Sequence, residues 1–284
     1  MTGAIAAFTA MAIATRQIKG VHDTFEILAY RSMIGWAIIA VLAVALGRSG
    51  DIRTDRLPSH VVRNLFHFTG QSLWFWAVTV IPLAQVFALE FTSPIWVIML
   101  SPLVLGEALT RRKLVAAALG FAGVLIVAQP DFGHVDYGVL AAAGAAFFFA
   151  STNLMTKRLT RGEPILSILF WLTLMQSGLG TVAMSLDGHV TLPTLATLPW
   201  LVLIGISGIT AHLSLTTALS LAPASTVVPV DFARLPIIAV VGAMFYDEPV
   251  TVSLFLGAAL IFLGIWITLR GGTSAPQGRR VTNP

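Results

Sequence analysis

Only 11% of the 284 residues are charged whereas 56% are hydrophobic, and the mean hydropathy is +0.86 with a net charge of +4. A soluble domain carries about a quarter of its residues charged, so this composition excludes a water-soluble fold and makes bilayer the solvent. With no cysteine, disulfides, thiolate metal ligands and cysteine nucleophiles are excluded, and the redox compartment is left open.

The opening run, Thr2 to Ile18, lacks the basic n-region of a secretory signal peptide and reads as a membrane span. Apolar runs between charged or Pro/Gly punctuation predict ten spans, near 3–20, 26–47, 61–80, 83–106, 111–129, 137–156, 164–186, 198–221, 224–246 and 251–269. With the N-terminus inside, the inner connectors and tail hold thirteen basic residues, among them Arg48, Arg53, Arg56, Arg63, Arg111, Arg112, Lys157, Arg158 and Arg161. The outer connectors hold only two, Arg16 and Lys19. This asymmetry places both termini in the cytoplasm, at a bacterial-type inner (plasma) membrane, and it accounts for the net charge without nucleic acid. The polar tail, 271–284, is expected to be disordered.

Sliding the sequence on itself aligns Pro82 with Pro223, an offset of 141 residues. The register continues through Phe91 and Phe232, Glu107 and Glu248, Thr110 and Thr251, Phe121 and Phe262, and Gly123 and Gly264. It also sets Gln71 opposite His212 and Glu90 opposite Asp231. Five spans is an odd number, so the second half enters the membrane from the opposite side. The fold class read from this is all-α integral membrane, ten transmembrane helices as two inverted five-helix repeats, 1–130 and 131–270.

Here the sequence resembles the drug/metabolite transporter superfamily, and within it the EamA-type ten-helix transporters. The residues that carry the resemblance are Ile81-Pro82-Leu83-Ala84, Phe91-Thr92-Ser93-Pro94 and Leu105-Gly106-Glu107, with Ala222-Pro223-Ala224-Ser225 and Asp247-Glu248-Pro249 as second-half counterparts. The resemblance implies a metabolite exporter or importer. Arg31, Arg63 and the block from Pro82 to Pro94 look like branches that take up nucleoside-like or flavin-like solutes.

A charge at the bilayer centre costs about 2.5–3.5 kcal/mol, so Arg31, Glu90, Asp231 and Arg234 each need a partner or a function. Asp231 and Arg234 lie i,i+3 on one helix and can pair, flanked by Pro229 and Pro236. Depth counting makes Arg31 the expected partner of Glu90, which would bring the intramembrane charge to zero. Arg63, His67, Gln71 and Trp74 recur on one face of the third span. Trp74 and Phe87 share faces with Gln71 and Glu90 and could stack on a flat solute. For Asp231 with Arg234 the structural alternative is an ion pair at a kink; for His67, a histidine satisfied by a backbone carbonyl; for most aromatics, filler or an interfacial belt. Arg31 and Arg234 have no basic counterparts at Leu169 and Ser93, and these breaks in symmetry are where an asymmetric substrate would be read. Stripes of small residues (Ala116, Gly120 and Gly123; Ala142, Ala146 and Ala150; Gly257 and Gly264) serve close packing inside the bundle or a homodimer face.

No P-loop, HExxH or GxSxG pattern occurs, and the two histidines nearest in sequence, His60 and His67, are seven apart. No cofactor and no metal are expected. The reading is therefore a secondary transporter of a small organic metabolite, best an aromatic or heterocyclic one of riboflavin type, with an amino acid or S-adenosylmethionine as alternatives. An intramembrane enzyme using Glu90 or Asp231, or a channel or scaffold, are the competing classes.

Overall fold

Polarity in the folded chain is inside out. Arg63 and Arg234 are 1% exposed and Gln71 is 2% exposed, whereas Leu103 is 83% and Phe255 is 65% exposed. Apolar side chains therefore face outward as well as inward, as a bilayer requires, and the polar ones are gathered in the interior. The computed structural model describes residues 1–106, 110–128, 136–186, 188–231, 234–247 and 251–270. The pair Glu107 and Glu248, the Phe232 of the repeat and the tail 271–284 lie outside the described residues.

Among the described residues the secondary structure is helical apart from turns and a single bridge between Lys19 and His22. In chain order the helices are α1 (Thr2–Gln17), α2 (Thr24–Ala45), α3 (Leu57–Val80), α4 (Leu83–Glu90), α5 (Ser93–Leu105), α6 (Arg111–Ala128), α7 (Tyr137–Leu159), α8 (Ile165–Met184), α9 (Leu198–Leu221), α10 (Ala224–Val230), α11 (Arg234–Tyr246) and α12 (Val252–Arg270). Four of them, α2, α7, α8 and α9, are each long and apolar enough to cross a membrane. Two expected spans are divided. The run at 83–106 breaks after Glu90, because Pro94 has no N–H to give the Glu90 carbonyl and its ring crowds that turn. In its counterpart, α10 ends at Val230 and α11 begins at Arg234, with Asp231 the described residue between them.

The main helix partnerships are α1 with α9, α3 with α7, α2 with α8 and α6 with α12. Exchanging α1–α6 for α7–α12 turns the first of these into the second and returns the last two to themselves. Side chains obey the same exchange at the 141-residue offset. Arg16 Nε and Nη2 donate to the carbonyls of Val78 (2.8 Å) and Ile81 (2.6 Å), and Lys157 Nζ donates to those of Leu219 (2.7 Å) and Ala222 (2.9 Å). Each cation thus caps the C-terminus of a helix that has run into a proline turn, where carbonyls lack intrahelical partners and the helix dipole is negative. At the crossing of α6 and α12, a Cβ on Gly123 would lie 2.5 Å from the Gly257 carbonyl oxygen, and one on Gly264 would lie 2.6 Å from that of Ala116. Those small-residue stripes, and the fully buried Ala142, Ala146 and Ala150, pack within the chain.

Helices α2 and α8 also anchor each other's following loops. Glu26 accepts from the Thr191 amide and Tyr30 donates to the Thr191 carbonyl at 2.9 Å. Their counterparts Ser167 and Trp171 hold Arg53, through its amide (3.1 Å) and its carbonyl (2.7 Å). This register makes Leu172, rather than Leu169, the residue that stands opposite Arg31.

Candidate functional site

A cavity lies where α1, α3, α7 and α9 meet the two broken helices, and its free volume is about 80 Å³. Eight of the nine residues expected at a site line it: Arg31, His67, Gln71, Trp74, Glu90, His212, Asp231 and Arg234. The helical spacing of Arg63, His67, Gln71 and Trp74 explains α3's share, since one face of one helix supplies all four. The helix breaks explain another part. Glu90 is the last residue of α4, Asp231 follows α10, and Arg234 opens α11, so the three meet at the ends of these helices.

Arg234 Nη2 donates to Glu90 Oε1 and to Asp231 Oδ2, at 2.7 Å each. Trp74 Nε1 donates to the other oxygen of Glu90 at 2.7 Å. The guanidinium carbon of Arg234 stands 4.6 Å from the ring centre of Phe87 and 4.9 Å from that of Phe8. A buried cation held by two carboxylates and stacked on rings recovers much of its lost hydration. Phe87 does not line the cavity; it is fully buried behind Arg234 and Trp74 and positions both.

The expected pairing of Arg31 with Glu90 is not formed. Arg31 Nη1 donates to Gln71 Oε1 at 2.5 Å, and Nη2 lies 3.3 Å from His212 Nε2, so neither of its partners is a carboxylate. Equal depth in the membrane placed Arg31 beside Glu90, but α2 packs on α8 and α9, and α11 packs on α4, so Arg234 reaches the acid instead. The two arginines that break the repeat symmetry are each held by a repeat-related pair: Gln71 and His212 around Arg31, Glu90 and Asp231 around Arg234.

Among the described residues the charges that line the cavity do not sum to zero. Arg63, counted above with an inner connector, is buried in α3, where Nε donates to Thr156 (3.0 Å) and Nη1 to Asn64 (3.3 Å). The cavity thus holds three guanidinium groups and two carboxylates, a formal excess of one positive charge, and both carboxylates are engaged by Arg234. Gln71 Nε2 donates to Gln176 Oε1 (2.5 Å), and Gln176 Nε2 donates to the Asn64 carbonyl (2.9 Å). A continuous hydrogen-bonded chain therefore runs from Arg31 through Gln71, Gln176 and Asn64 to Arg63. Sequence reasoning passed over Asn64, Thr156, Gln176 and Phe8. The first three carried a usable signal, an amide or hydroxyl inside an apolar run, whereas Phe8 looked like any lipid-facing ring.

His67 sits edge-on to His212, with ring centres 4.8 Å apart, and neither of its nitrogens has a hydrogen-bond partner. The backbone-carbonyl alternative for His67 is therefore not realised. Ser93 Oγ and Asp231 Oδ1 are likewise without partners. Chemically the site is a donor-rich cleft lined with aromatic rings. Among the described residues no three His, Asp or Glu side chains group as metal ligands would.

Known proteins place this architecture. A solved crystal structure shares the fold at a TM-score of 0.73 and 20% identity, over 94% of this chain and 93% of its own. A riboflavin transporter of Vibrio cholerae is 32% identical over 81% of this chain and 78% of its length. A second riboflavin transporter, from Brucella anthropi, is 29% identical over 92% and 94%. An S-adenosylmethionine uptake transporter of Rickettsia bellii is 24% identical over 84% and 81%. The EamA-like transporter family matches twice, at residues 1–129 and 136–270, and the chain belongs to that family of integral membrane transporters.

Proposed function

We propose that the chain is a secondary transporter that moves a flat, acceptor-rich heterocyclic metabolite, riboflavin or a close analogue, across the inner membrane by alternating access. The observation that carries this reading is the paired clasp: two arginines without repeat counterparts, each gripped by one residue from each half. When the halves rock, both clasps must give on one side and tighten on the other, which couples the cavity to the motion. In this reading α4 with α5 and α10 with α11 each make one crossing. The chain then has ten crossings in two inverted repeats, 1–130 and 131–270, with both termini cytoplasmic. Arg31, Arg63, His67, Gln71, Trp74, Glu90, His212, Asp231 and Arg234 face the substrate, and Phe87 backs them.

A free volume of about 80 Å³ is well below the roughly 300–1,000 Å³ of ligand pockets, so the conformation described is a narrow one that a substrate must widen. The relatives offer riboflavin and S-adenosylmethionine as precedents. The charge of the cavity favours the former. S-adenosylmethionine carries a sulfonium and a net positive charge, which a cavity of three guanidinium groups and two carboxylates disfavours, whereas Arg31 and Arg63 offer donors to a neutral heterocycle. Reconstituted protein should take up labelled riboflavin saturably, with unlabelled riboflavin competing and S-adenosylmethionine not competing. A flux that never saturates sinks the transporter reading, and competition by S-adenosylmethionine at equal concentration sinks the substrate choice.

A further inference from the structure

A second recess, of about 600 Å³, opens where the start of α3 and the ends of α5 and α7 converge. Its wall combines Leu103, Val104 and Met155 with three exposed arginines, Arg56, Arg158 and Arg161. None of the ion pairs among the described residues uses any of these three. The Arg56 guanidinium lies against Gly162, where a Cβ would stand 2.6 Å from Nη2 and 2.9 Å from Cζ, so the glycine is what lets the cation take that position.

The repeat supplies an internal comparison. The 141-residue offset carries Arg56, Arg158 and Arg161 to Thr197, Gln17 and Gly20, none of them basic, at the opposite end of the bundle. It carries Leu103 and Val104 to Met244 and Phe245, which are 71% and 70% exposed. The fold therefore builds an apolar rim at both ends and sets three arginines around it at one. Topology alone asks for basic residues at that end but not for their convergence on one recess.

We propose that this recess binds an anionic phospholipid, with the phosphodiester accepting hydrogen bonds from Arg56, Arg158 and Arg161 and an acyl chain lying along Leu103, Val104 and Met155. Guanidinium groups match phosphate oxygens in geometry and charge, and the apolar wall distinguishes a lipid from free phosphate. The site lies apart from the central cavity and does not depend on which solute the protein carries.

The test is lipid binding by the purified full-length protein in detergent, read by native mass spectrometry with phosphatidylglycerol, phosphatidylcholine and inorganic phosphate as separate probes. Phosphatidylglycerol should bind in clear preference to phosphatidylcholine. Replacing all three arginines by Gln should weaken it about a hundredfold, and Arg158→Gln alone about fivefold. Arg111→Gln with Arg112→Gln, at the same end but outside the recess, should leave it unchanged, while Gly162→Ala should weaken it by displacing Arg56. Equal binding of the two lipids, unchanged binding by the triple or the Arg158→Gln variant, or binding of inorganic phosphate as tight as that of phosphatidylglycerol overturns the proposal. Should the triple variant fail to insert, Arg158→Gln and Gly162→Ala decide it.

Discussion

Gly208 shows how closely the arginines are fitted. It is the repeat counterpart of His67, and a Cβ there would lie 2.7 Å from Arg31 Nε and 3.2 Å from Nη2. The obstacle is a flexible side chain, so Gly208→Ala should swing Arg31 off Gln71 without disturbing the helices. Uptake should fall about tenfold, a loss of ~1.4 kcal/mol, while the melting temperature stays close to the parent's. Gly180→Ala makes the contrast: its Cβ would meet backbone, the Ala29 Cα at 2.9 Å, and should lower the melting temperature instead. Glu90→Gln and Asp231→Asn each remove one charge-assisted bond from Arg234, worth about 1.5–3 kcal/mol. Each should cut initial uptake rates by about tenfold or more at matched membrane expression, and a normal rate for either variant takes that residue out of the transport path. The members of both clasps were legible in the sequence, because polar residues paired at one offset stand out in apolar runs. Who holds whom was not. Counting along a helix gives depth only; which helix faces which is decided by packing, and α11 on α4 brings Arg234 to Glu90.

At the scale of elements, the cations Arg16 and Lys157 do the same job on α3 and α9. Arg16→Gln and Lys157→Gln should destabilise the protein to a similar extent, about 1–2 kcal/mol each, and a thermal-unfolding series checks the equivalence. The α6–α12 crossing is stiffer. Gly123→Ala and Gly264→Ala each drive a Cβ into a backbone carbonyl, so both should lower the melting temperature by several degrees, with substrate affinity little changed in what remains folded. Pro94 was visible in the sequence as punctuation, yet an apolar run passes straight through it. The break after Glu90, which Pro94 makes, puts a carboxylate at the end of a helix, where Arg234 and Trp74 can both reach it.

For the whole molecule the prediction concerns sidedness, which the absence of native cysteine makes accessible to labelling. Gly50, with nothing within 4 Å of a built Cβ, belongs to a connector with Arg48, Arg53 and Arg56; Leu195, 92% exposed, belongs to one without lysine or arginine. Gly50→Cys should react with an impermeant maleimide only from the cytoplasm and Leu195→Cys only from outside. Labelling of both from one face removes the inverted arrangement.

Composition alone settled that the solvent is lipid, since 11% charge leaves no other surface to present, and the offset of 141 residues settled that the chain repeats itself. Both are one-dimensional properties, a sum and a spacing. The partners of the buried charges, the excess positive charge of the cavity and the gathering of three arginines around one recess belong to the tertiary structure. Each depends on which helix faces which, and that is decided by close packing of small residues and by buried polar groups finding partners.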